Sequence, residues 1–247
     1  MVQFEHDTIV PDKESLLTKK EQVADMFDHI AFRYDFLNRF LSGGIDIVWR
    51  RKAIKQLKDL QPKNILDVAT GTADVALMTY KMLKPEKITG IDISNGMLEF
   101  GRKKIAKQNL QEVITLQQAD SENLPFANET FDAVTVAFGV RNFEHLEKGL
   151  SEMLRVLKPG GKLVVLEFSK PKQTGFKKLY TLYMKTITPG LGKLFSGSKS
   201  AYSYLNDSVQ AFPEGEKFKE IMNTTGYKDT YFKSLSLGIC SIYCGSK

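Results

Sequence analysis

Apolar positions follow different rhythms along the chain. Between positions 64 and 168, short apolar runs alternate with longer amphipathic stretches. The runs at 65–68, 87–93, 113–118, 131–138 and 162–168 are rich in Val, Ile, Leu and Phe and predict five strands. The stretches at 75–83, 95–109 and 144–157 predict helices. Lys84-Pro85 closes the first, Ser94 or Asn95 can cap the second, and Lys158-Pro159-Gly160-Gly161 makes a turn after the third. Strands separated by helices of this length imply a parallel sheet covered on both faces.

Residues 13–60 keep a helical spacing, with Val23, Met26, Phe27, Ile30 and Ala31 on one side. Ser42-Gly43-Gly44 interrupts it, and Trp49, Ala53, Ile54 and Leu57 form the apolar side of a second helix that ends at Pro62. After the fifth strand the alternation stops. Phe176, Leu179, Tyr180, Leu182, Tyr183, Met184 and Ile187 make a wide apolar surface on a helix, stopped by Pro189-Gly190-Leu191-Gly192. Helices at 200–212 and 214–225 follow, then two alternating runs at 227–235 and 239–244 joined by Ser236-Leu237-Gly238. These predict an antiparallel hairpin at the sheet edge. The expected organisation is one domain over 1–247: a helical cap at 13–62, a core at 63–169, an insertion at 170–213, and a helix with two strands at 214–247.

The chain has 247 residues, 42% hydrophobic and 26% charged, which suits a globular protein. No apolar run approaches the ~20 residues of a membrane span, and the N-terminal twenty residues carry no hydrophobic signal segment, so a cytoplasmic location is expected. Cys240 and Cys244 share one apolar segment and His6, His29 and His145 are scattered, so the cysteines read as packing residues and no metal site is expected. The net charge of +6 is unevenly placed: Phe168 to Asn206 contains no acid and seven lysines. Such a block serves nucleic acid, an anionic membrane or simply a solvated face.

The chemistry begins at Lys63-Asn64-Ile65-Leu66-Asp67-Val68-Ala69-Thr70-Gly71-Thr72-Ala73-Asp74. A buried strand runs into a turn without bulky side chains, where a ligand can lie against the backbone at Gly71 and meet the free N–H groups of the next helix. Asp67 and Asp74 flank that turn. A pyrophosphate would meet two negative charges there, whereas a cationic ligand is favoured. A nucleoside joined to an amino acid through a sulfonium fits: S-adenosylmethionine. Asp92 lies 21 residues after Gly71, at the end of the second strand, where a carboxylate takes both ribose hydroxyls or, alternatively, caps the next helix. Asp120-Ser121-Glu122-Asn123-Leu124-Pro125-Phe126 follows the third strand. Asp120 can accept from an adenine amine and the Ser121 N–H can donate to the ring, or Asp120 is a turn residue. Arg141 and Asn142 follow the fourth strand, at the edge where open α/β sheets bind ligands; a surface salt bridge is the other reading of Arg141. The acidic turn argues against a nicotinamide reductase, and the chain lacks the Asn/Asp-Pro-Pro-aromatic box and the Pro-Cys pair of nucleic-acid methyltransferases.

At this point the sequence resembles a known family, the ubiquinone/menaquinone biosynthesis C-methyltransferases. The resemblance rests on the Tyr34-Asp35-Phe36-Leu37-Asn38 box, the loop at 66–74, Asp92 and Leu124-Pro125-Phe126. It continues through Phe138-Gly139-Val140-Arg141-Asn142, Arg155 to Gly161, Leu166-Glu167-Phe168-Ser169-Lys170-Pro171, Ala201-Tyr202-Ser203-Tyr204-Leu205, Phe212-Pro213 and Gly238-Ile239. The resemblance implies a Rossmann-like class I methyltransferase: a seven-stranded, mostly parallel sheet with an antiparallel C-terminal hairpin, N-terminal helices and a helical insertion after strand five. It implies cofactor contacts at Asp67, Gly71, Thr72, Asp92, Ile93, Asp120 and Ser121. Two positions depart from the family pattern, Ala73 where a second glycine is usual and Ala137 where serine is frequent.

The implied reaction is methylation of a ring carbon of a prenylated quinol, with demethylmenaquinol favoured over the benzoquinol precursor of ubiquinone because the chain is compact and shows no targeting extension. Arg141 is expected to favour charge on the developing quinolate, with Tyr34 and Asp35 closing over the site and helping proton removal. A prenyl tail gives the acid-free block two compatible readings: peripheral contact with an anionic membrane on the inner face, or a lid with solvated lysines. Nucleic acid is not an expected partner, and a homodimer is left open.

Overall fold

The computed structural model describes residues 4–171 and 199–247. Their elements are α1 (Lys19–Ser42), α2 (Ile45–Ile54), β1 (Asn64–Val68), α3 (Asp74–Leu83), β2 (Lys87–Asp92), α4 (Asn95–Lys107), β3 (Ile114–Gln118) and β4 (Phe131–Ala137). After them come α5 (Leu146–Val156), β5 (Leu157–Phe168), α6 (Lys199–Ala211), α7 (Glu216–Thr225), β6 (Lys228–Leu235) and β7 (Cys240–Ser246). The expected basic helix around 176–187 lies outside the described residues.

The strands form one seven-stranded sheet in the order β3-β2-β1-β4-β5-β7-β6. β1 to β5 pair in parallel, and β7 is antiparallel to both β5 and β6. The hairpin is present, but β7 lies inside it: β7 bonds to β5 and leaves β6 at the edge. Its side chains explain the choice, since β7 is buried from Cys240 to Gly245 while β6 is largely half-exposed or exposed. Cys240 and Cys244 are buried and unbridged.

Successive strand residues serve opposite faces. Leu66, Val68, Val134, Val136, Leu163 and Val165 pack on α5 and α7, while Ile65, Ala133, Val164 and Leu166 pack beneath α2 and α3. Burial on both faces is why these strands read as continuous apolar runs. A third, small cluster of Val23, Met26 and Tyr204 joins α1 to α6.

Boundaries differ from expectation: α1 begins at Lys19 rather than near position 13, and α2 gives way to a 3₁₀ turn over Lys55–Leu60. Lys158-Pro159-Gly160-Gly161 belongs to β5 as an irregularity: Phe131 pairs with Leu157 and Ala133 next pairs with Lys162. Gly160 carries the left-handed φ of 76° that this bend requires. Near the N-terminus a 3₁₀ turn at Glu5–Thr8 buries His6, whose ring stands 5.9 Å from Phe212.

Candidate active site

The sheet reverses direction of winding between β1 and β4, and a cleft of about 660 Å³, open to solvent, lies at the carboxyl ends there. β1 brings Val68, Ala69 and Gly71, β2 brings Asp92 and Ile93, and β3 brings Asp120, Ser121 and Glu122. The turn after β4 adds Phe138, Gly139, Asn142 and Phe143, and α1 adds Lys20, Val23, Phe27 and Tyr34. Of the expected residues, the cleft therefore gathers Tyr34, Gly71, Asp92, Ile93, Asp120 and Ser121. Asp35, Asp67, Thr72 and Arg141 are not on its lining.

The loop after β1 turns three times through left-handed backbone, at Ala69 (φ 52°), Gly71 (φ 56°) and Ala73 (φ 64°). Glycine suits such angles and alanine does not, which accounts for the usual glycine at position 73. Ala73 is fully buried and precedes α3 as its N-cap. A Cβ on Gly71 would stand 4.0 Å from the Tyr34 ring, so the ring lies over a bare stretch of backbone.

Asp67, expected at the ligand, sits beneath the loop instead. Cross-strand register places it beside Thr135, whose hydroxyl donates to Oδ1 at 2.6 Å while Thr70 donates to Oδ2 at 2.6 Å. Burial pushes its carboxyl up to about 6, against the pull of those hydroxyls. Thr72 likewise turns away: its hydroxyl donates to Asp35 Oδ1 at 2.6 Å and accepts from Lys104 Nζ at 2.8 Å. Lys104 also pairs with Asp35 and lies 2.7 Å from Asp74. Burial opposes ionisation of Asp74, but Lys104, Arg50 and Arg39 outweigh it and hold the carboxyl below its ordinary value. Asp35 thus ties α1 to the loop. Adjacent helix residues point about 100° apart, and here Tyr34 takes the cleft while Asp35 takes the loop after β1.

Asp92 does face it. Oδ2 accepts from Gly71 N–H at 2.8 Å and Oδ1 from Ser94 N–H at 2.9 Å. Ser94, not Asp92, caps α4, by accepting from Met97 N–H at 3.1 Å. Each Asp92 oxygen keeps a lone pair for a hydroxyl donor, and burial pushes the carboxyl up to about 6. Asp120 combines both readings of its role: it accepts from Glu122 N–H at 2.8 Å as a turn residue and reaches the cleft. Lys20 Nζ lies 2.8 Å from it and 2.8 Å from Glu122, which is 1% exposed. Lys20 was not anticipated, because one lysine in a polar N-terminal stretch has no distinguishing spacing.

Arg141 is 3% exposed. Its Nη1 donates to Phe138 O at 2.6 Å and to Glu167 Oε1 at 2.7 Å, and its Nε has no hydrogen-bond partner among the described residues. A salt bridge is present, but in the interior and not at the surface as expected. Burial disfavours its charge, yet Glu167, with Tyr34 and Tyr204 beyond, raises its pKa further. Phe138 itself has a left-handed φ of 60°, an outlier for a bulky residue, held by these bonds and by its N–H to Leu166 O at 2.7 Å. Asn142 lines the cleft, and its Oδ1 accepts from the Tyr204 hydroxyl at 3.1 Å.

The donor set suits a charged nucleoside. Among the described lining residues four carboxylates, Asp92, Asp120, Glu122 and Glu144, face one lysine, which favours a cation over a phosphate. Gly71 offers backbone without a side chain and Asp92 spare acceptors for ribose.

This sheet order and this acid-lined cleft define a class I S-adenosylmethionine-dependent methyltransferase. The fold is shared with an S-adenosylmethionine-dependent methyltransferase of Thermotoga maritima (TM-score 0.59, 20% identity, 90% of this chain and 99% of that one). It is shared also with Haemonchus contortus phosphoethanolamine N-methyltransferase 2 in complex with S-adenosylmethionine (TM-score 0.58, 16% identity, 80% and 52%). The chain belongs to the ubiE/COQ5 methyltransferase family, whose model matches residues 15–247. It is 51% identical to the demethylmenaquinone methyltransferase of Bacteroides fragilis over 93% of this chain and 94% of that protein. It is 48% identical to the ubiquinone/menaquinone biosynthesis C-methyltransferase of Geobacter sulfurreducens over 94% and 91%. The demethylmenaquinone methyltransferase of Thermus thermophilus is 44% identical over 90% of this chain and all of that one.

Proposed function

We propose that this enzyme methylates a ring carbon of a prenylated quinol, converting demethylmenaquinol to menaquinol. The observation that carries the reading is the mixed lining of the cleft: the carboxylates of Asp92, Asp120, Glu122 and Glu144 together with the rings of Phe27, Tyr34, Phe138 and Phe143. The carboxylates suit the cofactor, and the rings suit a flat, apolar substrate. Relatives named for demethylmenaquinone support the choice of substrate.

S-adenosylmethionine, when bound, supplies an electrophilic methyl group on a good leaving group. The protein's part is to hold an aromatic carbon in line with it, at a reach of about 3–3.5 Å. Asp92 takes the ribose and the 120–121 turn the adenine, which fixes the cofactor end. Asn142 orients the quinol: Oδ1 is occupied by Tyr204 and one Nδ2 N–H points to Phe138 O at 3.5 Å, so the second Nδ2 N–H is the one for a quinol oxygen, and donation there favours the quinolate. Arg141 supports the same wall through the Phe138 carbonyl. Because Glu167 neutralises it at contact, its field on the ring is that of a close ion pair rather than of a free cation. Tyr34 covers Gly71 and shields the site from water.

No helix among the described residues is long and apolar enough to cross a membrane. The acid-free sequence from Phe168 to Asn206 supports peripheral contact with an anionic bilayer that holds the prenylated substrate. Salt-sensitive co-sedimentation with anionic vesicles, lost when Lys177, Lys178 and Lys185 are neutralised, is expected; binding unaffected by all three changes would remove this part of the proposal. The substrate is tested by assaying prenylated naphthoquinol and benzoquinol with labelled cofactor. Label in menaquinol supports the reading, and label confined to the benzoquinol overturns it.

A further inference from the structure

Helix α1 runs along the carboxyl edge of the sheet, and its inward side chains reach the loops after β3, β2 and β1 in turn, the order in which those strands lie side by side. Lys20 holds Asp120 and Glu122 after β3, each at 2.8 Å. Asp28 Oδ1 accepts from Ser94 Oγ at 2.5 Å and from Gly96 N–H at 2.8 Å, at the start of α4 after β2. Asp35 accepts from Thr72 after β1 at 2.6 Å. Asp28 and Asp35, seven residues apart, lie close to one line of the helix, and Lys20, eight before Asp28, stands about 80° round from it and reaches across with its long side chain. Val23, Phe27 and Tyr34 alternate with them and enter the cleft.

Each contact acts on a loop that carries a cofactor group. Asp28 supplies an acceptor to a free N–H in the first turn of α4, directly beyond Asp92. The approach is close because position 96 is glycine: a Cβ there would stand 2.8 Å from Asp28 Oδ1 and 3.2 Å from Asp28 Cα. Glu122 is buried and its other oxygen accepts from Glu144 N–H at 2.9 Å and His145 N–H at 2.8 Å, so Lys20 supplies the cation that this carboxylate needs. Among the described side chains, α1 packs its apolar residues in the small cluster of Val23 and Met26, with Phe27 and Ile93 against it. The polar contacts add fixed points between α1 and each of the three loops.

We infer that Lys20 and Asp28 are positioning residues of the cofactor site: acting through Asp120 and through the 92–96 turn, they set cofactor affinity and have little influence on the methyl-transfer step. The inference rests on the cofactor reading above and is independent of which quinol is methylated.

The test measures binding of S-adenosylhomocysteine by calorimetry, which needs no substrate, in Lys20→Met, Asp28→Ala, Asp28→Asn and Gly96→Ala proteins. The Met, Ala and Gly96 variants are expected to bind about tenfold more weakly, the scale of one charge-assisted hydrogen bond. Asp28→Asn keeps an acceptor oxygen and recovers most of the loss. Cofactor KM rises in the same variants, while kcat at saturating cofactor falls less than about threefold. Amide exchange on the wild type supplies a readout that mere fold support would not move: S-adenosylhomocysteine slows exchange in 20–35, 92–97 and 120–122 together, and in Lys20→Met it no longer protects 20–35. Folded Lys20→Met and Asp28→Ala proteins that bind as the wild type does, or that lose kcat alone, overturn the inference. A wild type that does not bind S-adenosylhomocysteine overturns the cofactor reading itself.

Discussion

Arg141 Nη1 lies 2.7 Å from Glu167 Oε1, with both side chains buried where the turn after β4 meets the end of β5. Nothing near either residue in the chain announces the pairing; the parallel register of β4 and β5 brings them together. Removing one member leaves a buried charge. Glu167→Ala is expected to cost about 3–5 kcal/mol in chemical denaturation, and the double change Arg141→Met with Glu167→Leu to recover a large part of it. Additive losses in the double variant would mean that the two residues act separately.

Arg141 also holds the carbonyl of Phe138, a strained residue of the cleft lining. Arg141→Ala is expected to lose turnover while cofactor affinity stays near that of the wild type, since Asp92 ends β2 and Asp120 follows β3. Single-turnover rates with calorimetry on the same protein decide this; an equal loss in both would make Arg141 a general support of the fold.

Asp92 is expected to carry the ribose contact. Asp92→Ala removes a charged hydrogen-bond partner, a change of about 1.5–3 kcal/mol or roughly 10- to 150-fold in affinity. Unchanged calorimetric affinity in a folded variant would reassign the residue to bracing Gly71 and Ser94.

The buried carboxyl of Asp67 gives stability a particular pH dependence. Its value is raised from 3.8 in the unfolded chain to about 6, so between those limits the native protein holds a proton that the unfolded chain has lost. The resulting contribution is favourable at the acid end and lost as pH rises through about 6. Asp67→Asn stays neutral, and its amide fits two hydroxyls that can turn. Melting curves should show the variant gaining on the wild type from pH 4 to 6, by on the order of 1–3 kcal/mol, then levelling. A difference constant with pH would mean that Asp67 is ionised throughout.

Ala73 sits at a left-handed φ of 64° with its methyl fully buried. Ala73→Gly relieves a backbone cost of roughly 1–2 kcal/mol and loses a buried methyl worth about 0.8 kcal/mol. The net change in denaturation should stay within about 1 kcal/mol. Ala73→Val adds β-branching at the same angle and crowds Gly101, whose own Cβ would already stand 3.3 Å from the Ala73 methyl. It is expected to destabilise by more than about 2 kcal/mol.

The sequence by itself determined the succession of strands and helices, because burial on both faces of a parallel sheet writes apolar runs into the chain and Gly and Pro mark their ends. It placed Asp92, Asp120 and the small-residue turn at the cleft as well, since their distance from strand ends fixes them, but Asp67 and Asp74, the carboxylates first expected at the ligand, lie off it, and Glu122 and Glu144 take part in their stead. Which way Asp35, Asp67 and Thr72 point, the insertion of β7 beside β5, and the partners of Lys20, Asp28 and Arg141 were decided only by the tertiary structure. Periodicity reports which face of an element is buried. It carries no signal for a polar pair such as Lys20 and Asp120, whose members are 100 residues apart and meet only when α1 lies across the finished sheet.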